Sequence, residues 1–343
     1  MKTAAQRIRP LTWLVCAAVL TLAVLLAVSI GAVHIPIGEV VRSLASRLHI
    51  MDATTSMTSN DTIIWELRLP RVILAALVGA MLATAGCAYQ GTLRNPLADP
   101  YLLGVSAGAG LGATINIVFT ENNFRQALPL CAFIGALLAV TLTYRLGRSG
   151  IAGRSSASLV LAGVAIANLL TALQTLVQQR SSDKLREVYA WALGQLNTTG
   201  WADVRLIAPY VLICIAVLIR YRRVLDVFAV GDEEAQTMGL PVGRARAAVV
   251  IAASLGTAAA VSVTGLIGFV GIIVPHTLRI LIGTSYRVLI PLSAICGGAF
   301  LVAADLISRT ALAPEEIPIG VITAALGAPF FLVVMRSKRQ GGN

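Results

Sequence analysis

Residues 104–112, GVSAGAGLG, hold the two patterns in this chain closest to catalytic motifs. G-x-S-x-G surrounds the nucleophile of α/β-hydrolases, here Ser106, and glycine-rich loops can hold phosphate. A serine nucleophile needs a base, and His276 is the histidine that could reach Ser106 within an apolar segment. Small residues at this spacing are also typical of helices that pack closely in lipid. We favour packing and expect no catalytic residue, with an intramembrane serine hydrolase as the remote alternative.

Two pairs of charged residues inside or beside apolar runs are candidates for function. Asp305 and Arg309 are four positions apart, so they can form an intramembrane ion pair on one helix face. Arg68 and Arg71 lie in ELRLPR, at the predicted outer start of a spanning helix. Cations at an outer mouth suit an acidic partner or an anionic substrate, although interfacial anchoring would use them equally well.

Several chemistries are excluded by missing patterns. A Walker A loop needs Gly-Lys, and none of Lys2, Lys184 and Lys338 follows a glycine. Any ATP use must therefore come from a separate subunit. The five cysteines fall inside apolar runs without C-x-x-C spacing, so they are expected to pack as small hydrophobes. The sequence predicts neither a metal site nor a cofactor bound by this chain.

Composition defines the class of protein. Hydrophobic residues make up 57% of the chain, charged residues only 13%, and the mean hydropathy is +0.82. A soluble chain could not keep this much apolar surface out of water. The excess of 27 Lys and Arg over 16 Asp and Glu falls in the gaps between apolar runs, which indicates membrane topology and lipid contact rather than nucleic-acid binding.

The apolar runs predict an all-α polytopic membrane protein of about ten helices in a single domain, 1–343. The first run follows Lys2, Arg7 and Arg9, and it is too long for a signal peptide, so we interpret it as a retained helix. The bias of basic residues puts both termini in the cytoplasm. The predicted spans are 11–33, 70–90, 101–119, 126–146, 157–178, 205–221, 244–264, 268–283, 288–309 and 318–336.

Three connections are long. The outer loops, about 34–66 and 179–204, both contain amphipathic stretches expected to lie along the membrane surface. Tyr189, Trp191 and Trp201 in the second loop are typical of the aromatic belt at the membrane interface. The cytoplasmic loop, about 222–244, carries an acidic cluster flanked by arginines.

Extended blocks of the chain closely resemble one family. They include ELRLPRVILAALVGAMLATAGCAYQGTLRNPLADPYLLGVSAGAGLGA, LVLAGVAIANLL, VGDEEAQTMGLPVGR, GLIGFVGIIVPHTLRILIGTSYR and ADLISRTALAPEEIPIGVITAALGAPFFLVVMR. These blocks are similar, in the same order, to the FecCD/BtuC-type permeases that import ferric siderophores, haem and vitamin B12.

The resemblance implies a ten-helix permease of a large-substrate (type II) ATP-binding-cassette importer in a bacterial inner membrane. It implies four kinds of partner: a second permease subunit, which we expect to be an identical copy, two ATPase subunits that hold ATP and Mg, a periplasmic or lipid-anchored binding protein, and membrane lipid. Alternating access would move the substrate.

Residue roles follow from the same resemblance. Arg68, Arg71 and Arg309 align with outer arginines that dock the binding protein. Asn95 and Leu97 in RNPLADP, with Ser156, align with a cytoplasmic gate. The residues that align with the ATPase-coupling segment are Gly231, Asp232, Glu233, Glu234, Ala235, Met238 and Gly239.

Two questions stay open from sequence. An ion-coupled secondary transporter would want buried acids along its path, and Asp305 is the candidate. Ferric siderophore, haem and cobalamin share this architecture, and we expect them in that order of preference.

Overall fold

The computed structural model describes residues 10–31, 33–47, 58–120, 127–149, 156–196 and 200–340. All regular secondary structure within these ranges is helical. Lys2, Arg7 and Arg9, which support the predicted cytoplasmic N-terminus, lie outside the described residues. The orientation of the termini therefore stays a prediction, and so does the assignment of the two ends of the bundle as outer and cytoplasmic.

Ten apolar helices occur where the sequence predicts spans. They are α1 Pro10–Ser29, α2 Leu69–Leu93, α3 Val105–Phe119, α4 Leu128–Ser149, α5 Ser156–Gln178, α6 Trp201–Phe228, α7 Val242–Thr264, α8 Val270–Ile282, α9 Tyr286–Thr310 and α10 Ile319–Gln340. Seven of them lie within helical stretches long and apolar enough to cross a membrane, and α3, α8 and the apolar part of α10 are shorter.

The short helices α3 and α8 are interrupted spans. With 15 and 13 residues, they extend about 22 and 20 Å, less than the roughly 30 Å of a hydrocarbon core. Each begins after a left-handed residue, Gly104 (φ 80°) before α3 and Phe269 (φ 68°) before α8. The predicted start of the third span at residue 101 is wrong, because Pro100–Leu103 form a 3₁₀ turn.

The two interruptions meet inside the bundle. The Tyr101 hydroxyl donates to the Ile267 carbonyl at 3.0 Å and accepts from the Ile267 amide at 3.0 Å. The Tyr101 hydroxyl therefore satisfies both the amide and the carbonyl of Ile267. Ile267 lies in the non-helical α7–α8 connection, where these groups have no helical hydrogen bonds.

The helix α2 is the centre of the fold. Its most apolar window is 78% buried, against 11% for α1 and α5, and it packs against α9, α7, α6 and α8. Glycines permit this approach: a Cβ on Gly79 would stand 2.2 Å from the Gly297 carbonyl oxygen, and one on Gly86 would stand 2.1 Å from that of Gly271. Backbones pack directly there, as small residues allow in lipid.

The glycines of GVSAGAGLG have the same role between α3 and α4. A Cβ on Gly108 would be 2.3 Å from the Gly135 carbonyl oxygen, and one on Gly112 would be 2.2 Å from that of Cys131. The packing interpretation of this stretch is confirmed.

The predicted amphipathic stretches do contain helices, Ile37–Arg47 and Leu185–Ala192. The interfacial position expected for Trp191 is wrong, since only 4% of this residue is exposed. Trp191 shares the buried face of its short helix with Val188, three positions earlier. Tyr189, by contrast, is exposed.

Candidate functional site

Arg71 is the centre of a charged network at the predicted outer end. Its side chain lies in the first turns of α2, after a π-helical segment Ile63–Arg68. Arg71 Nη2 lies 2.8 Å from Asp305 Oδ1, and Nη1 lies 2.9 Å from Glu316 Oε1. The planar guanidinium thus bonds two carboxylates at once. Asp305 is only 1% exposed, so its negative charge depends on the Arg71 guanidinium beside it.

Arg68 and Arg309 both bond backbone carbonyls at the end of α1. Arg68 donates to the Val28 and Ser29 carbonyls at 2.7 and 2.8 Å and also bonds the Val33 carbonyl. Arg309 bonds the Ala27 carbonyl. These carbonyls belong to or follow the last turn of α1, where helix acceptors lack partners and the dipole favours cations.

We call Arg68, Arg71 and Arg309 the arginine cluster. The predicted Asp305–Arg309 pair is present at 3.5 Å, but the closer partner of Asp305 is Arg71. The docking role remains a prediction, and its setting is now defined: Arg68 is 7% exposed, whereas Glu316 is 43% exposed. Glu316 is therefore the most exposed charged side chain beside the arginine cluster.

The candidate gate is a tight turn after α2, residues 94–99, which we call the gate turn. Arg94 adopts a left-handed conformation with φ 51°. The Asn95 side-chain oxygen accepts from the Leu97 amide at 3.0 Å, and the Asn95 carbonyl accepts from the Ala98 amide at 3.1 Å. Leu97 is thereby held exposed. Ser156 begins α5, but its side chain lies outside the described residues, so its position relative to Leu97 remains a prediction.

The predicted coupling segment forms a short helix, Asp232–Thr237, between α6 and α7. We call residues 229–241 the coupling loop. Glu233, Glu234 and Gly239 are exposed, and Met238 is 65% exposed, whereas Ala235 is fully buried. Ala235 therefore supports the helix rather than forming its surface. The Asp232 side chain lies outside the described residues.

Gly231 and Gly239 give the coupling loop its two bends. Their φ angles are 156° and 76°, values that favour glycine. A surface cavity of about 420 Å³ lies beside the loop, lined by Gln236, Leu240, Pro241, Val242, Gly243, Arg244 and Ala247.

Ser106 and His276 lie on helices with different neighbours. The helix α3 packs mainly against α4 and α5, and α8 packs mainly against α2 and α9. The His276 ring packs edge-on against Phe330 at 6.0 Å between centroids. The His276 side chain thus takes part in helix packing.

Three polar residues that bond between helices were not predicted as site residues from the sequence: Gln90, Asp226 and Arg279. Each is a polar side chain near the predicted cytoplasmic end of an apolar helix. A polar residue at the end of an apolar helix could have marked them as candidates. Their partners lie on other helices, however, and the sequence does not reveal those contacts.

These features define a multi-pass membrane protein. Its charged networks lie at the two predicted ends of the bundle, and its core is packed through glycine backbones. A sequence profile described as the FecCD transport family matches residues 19–337.

Curated relatives agree with this match. The chain is 42% identical to a cobalamin import system permease protein of Halobacterium salinarum, over 81% of this chain and 74% of the relative. It is 38% identical to a hemin transport system permease protein of Yersinia pestis, over 82% and 87%. A solved structure described as a metal-chelate type ABC transporter, in an inward-facing conformation, matches with a TM-score of 0.83 and 26% identity, covering 96% of this chain and 100% of that one.

The chain belongs to the FecCD transport family. It is a multi-pass permease of the inner membrane, not an enzyme, which excludes the hydrolase alternative for Ser106.

Proposed function

We propose that this chain is the membrane-spanning subunit of an ATP-driven importer for a metal chelate. Cobalamin and hemin, named for two relatives, and the metal-chelate description of the solved structure share one chemistry, a metal ion held in a large organic ligand. A ferric siderophore fits that class and remains our first expectation, followed by haem and cobalamin.

The observation that supports a transport path is a row of exposed polar side chains on α5, on the same side of the helix as the exposed Leu161 and Val164. Asn168, Thr171 and Thr175 are exposed and recur at helical spacing on one side of a helix that has few neighbours within this chain. An exposed asparagine is costly in lipid. A second copy of the chain, with a water-filled path between the two, would give this face a polar environment.

An ion-coupled carrier is the weaker candidate. The acid that it would need, Asp305, is buried and bonded to Arg71 and Arg309. A carboxylate held by two guanidiniums is poorly suited to bind and release a cation. ATP and Mg on two partner ATPase subunits supply the energy instead, and a binding protein that docks at the arginine cluster delivers the substrate.

The coupling loop is the proposed contact with the ATPase. Met238 and Val230 are exposed apolar residues on a polar loop, a composition that suits a protein partner.

The test is Met238→Glu, compared with Val41→Glu on the predicted outer helix as the matched exposed-apolar control. We expect Met238→Glu to weaken ATPase association roughly 30-fold, the size of a binding hot spot, measured by co-purification and titration of the ATPase. Val41→Glu should leave association unchanged. Equal effects of the two variants would contradict the proposed contact.

A further inference from the structure

A chain of polar contacts links the end of α6 to the gate turn. It starts at Asp226, which lies just before the coupling loop. The Asp226 carboxylate accepts from the Tyr286 amide at 2.6 Å and from the Ser285 hydroxyl at 3.0 Å. Arg287 adds an ion pair at 3.2 Å. Asp226 therefore caps the start of α9 from another helix, satisfying donors that a helix N-terminus leaves free.

The next link runs from α9 to α8 and α2. Arg279 Nη2 on α8 donates to the Tyr286 hydroxyl at 3.4 Å and to Gln90 Oε1 at 3.0 Å. The Tyr286 ring also covers Gly91, where a Cβ would stand 3.0 Å from the ring. Arg279 and Tyr286 thus hold the end of α2 from two sides.

Gln90 completes the chain. Its Nε2 donates to the Gly271 carbonyl at 3.1 Å and to the Ala98 carbonyl, in the gate turn, at 3.4 Å. The Gln90 backbone carbonyl accepts from the Asn95 amide at 3.1 Å. Gln90 is buried, and both ends of its amide are bonded.

This arrangement is suited to transmit movement. A buried polar group that loses its partner costs about 1–3 kcal/mol, so the members of such a network tend to move together or find new partners together. The network connects the last turn of α6, which leads into the coupling loop, with the gate turn, and these two elements are far apart in sequence.

We infer that Gln90 and Arg279 are positioning residues that transmit movement of the coupling loop to the gate turn. A shift of the α6 end moves Asp226, which draws the start of α9 and Tyr286 with it. Arg279 then moves with Tyr286 and displaces the Gln90 side-chain amide to which it is bonded. This displacement changes the hydrogen bond from Gln90 to the Ala98 carbonyl. The inference rests on the proposed function, since it assumes an ATPase at the coupling loop and a gate at residues 94–99.

The test measures substrate transported per ATP hydrolysed by the complete complex in proteoliposomes. Gln90→Glu keeps the size of the side chain and its bond from Arg279 but cannot donate to Ala98. Arg279→Gln interrupts the chain one step earlier. We expect each variant to keep ATP hydrolysis and to lose transport per ATP by roughly five-fold or more, the lower range of allosteric coupling. The double variant should be no worse than the more severe single variant.

Tyr89→Phe is the matched control. Tyr89 precedes Gln90 on α2 and bonds Ser254 on α7 at 2.5 Å, away from the network. Removing this buried bond should lower thermal stability at most and leave transport per ATP unchanged. If Gln90→Glu does not assemble, Arg279→Met tests the same step, because its side chain has no N–H donor for Gln90 or Tyr286.

The outcomes are distinguishable. A wild-type ratio in the Gln90 and Arg279 variants overturns the inference and leaves the proposed function standing. Equal losses in Tyr89→Phe would also overturn it, by showing a general packing effect. Absence of ATP-driven transport in the wild-type complex overturns the proposed function, and the inference with it.

Discussion

Asp305 is the most buried of the charged side chains in and beside the arginine cluster, so its charge depends most on its partners. It is buried, and it bonds Arg71 on α2 and Arg309 on its own helix. Removing one partner from a buried ion pair leaves an uncompensated charge, which typically costs about 3–5 kcal/mol. We therefore expect Asp305→Asn to lower the free energy of unfolding by that amount, measured by thermal or denaturant unfolding in detergent.

Glu316→Gln is the control for this prediction. Glu316 bonds the same arginine but is partly exposed, and pairs of this kind contribute about 1 kcal/mol or less. Equal destabilisation by the two variants would contradict the view that burial makes Asp305 the essential partner.

Glu316 also gives a clean test of docking at the arginine cluster. If a carboxylate of the binding protein pairs with Arg71, it must compete with Glu316 for the guanidinium. Glu316→Gln should then tighten docking by roughly two- to five-fold, the size of an exposed ion pair, in a direct titration of the binding protein. The gain should shrink at high salt. Unchanged or weaker docking at low salt would argue against Arg71 as a contact.

Glycine contacts determine how closely the helices approach. Gly79→Ala would place a methyl group against the Gly297 backbone, and overpacking of this kind typically costs about 1–3 kcal/mol. Gly243→Ala on α7 is the control, because its new methyl group would meet no heavy atom of the described residues within 4 Å apart from its chain neighbours and the backbone of its own helix. We expect only the first variant to lower the unfolding temperature in detergent. A stable Gly79→Ala would show that α2 and α9 can separate without cost.

Local patterns predicted the elements well and their partners poorly. Apolar runs gave ten helices, and the four-residue spacing of Asp305 and Arg309 gave their pair, because both depend on near neighbours. The Arg71–Asp305 bond joins residues far apart in sequence, and no single-sequence pattern contains it. Trp191 was misplaced for the same reason: an aromatic in an amphipathic stretch looks interfacial until its neighbours are known, and the short helix that contains Trp191 packs against α3.

The break before α3 was also beyond local reasoning. The apolar run continues through residues 101–104, so hydropathy gave no signal for the 3₁₀ turn. The turn is capped locally by Asp99, whose side chain accepts from the Tyr101 amide at 2.8 Å, and it is joined to another part of the chain by the Tyr101–Ile267 bond. The resemblance to a permease family supplied the candidate sites, and the structure adds the contacts that surround them.

At the scale of the molecule, α2 joins both ends of the proposed mechanism. Its first turns hold Arg71 in the charged network, and its last turns hold Gln90 beside the gate turn. The helix α9 runs beside it, with Asp305 near one end and Tyr286 at the other. A binding protein at one side and an ATPase at the other could thus act on the same packed pair of helices.

ATP-driven import is the function proposed for this chain. The most direct measurement is uptake of a ferric siderophore, haemin or cobalamin into proteoliposomes that contain this chain with its ATPase subunits, supplied with the binding protein outside and ATP inside. We expect uptake of one of these chelates that requires ATP and continues when ionophores collapse the ion gradients. Uptake that survives without the ATPase and stops with the ionophore would contradict the account and favour an ion-coupled carrier.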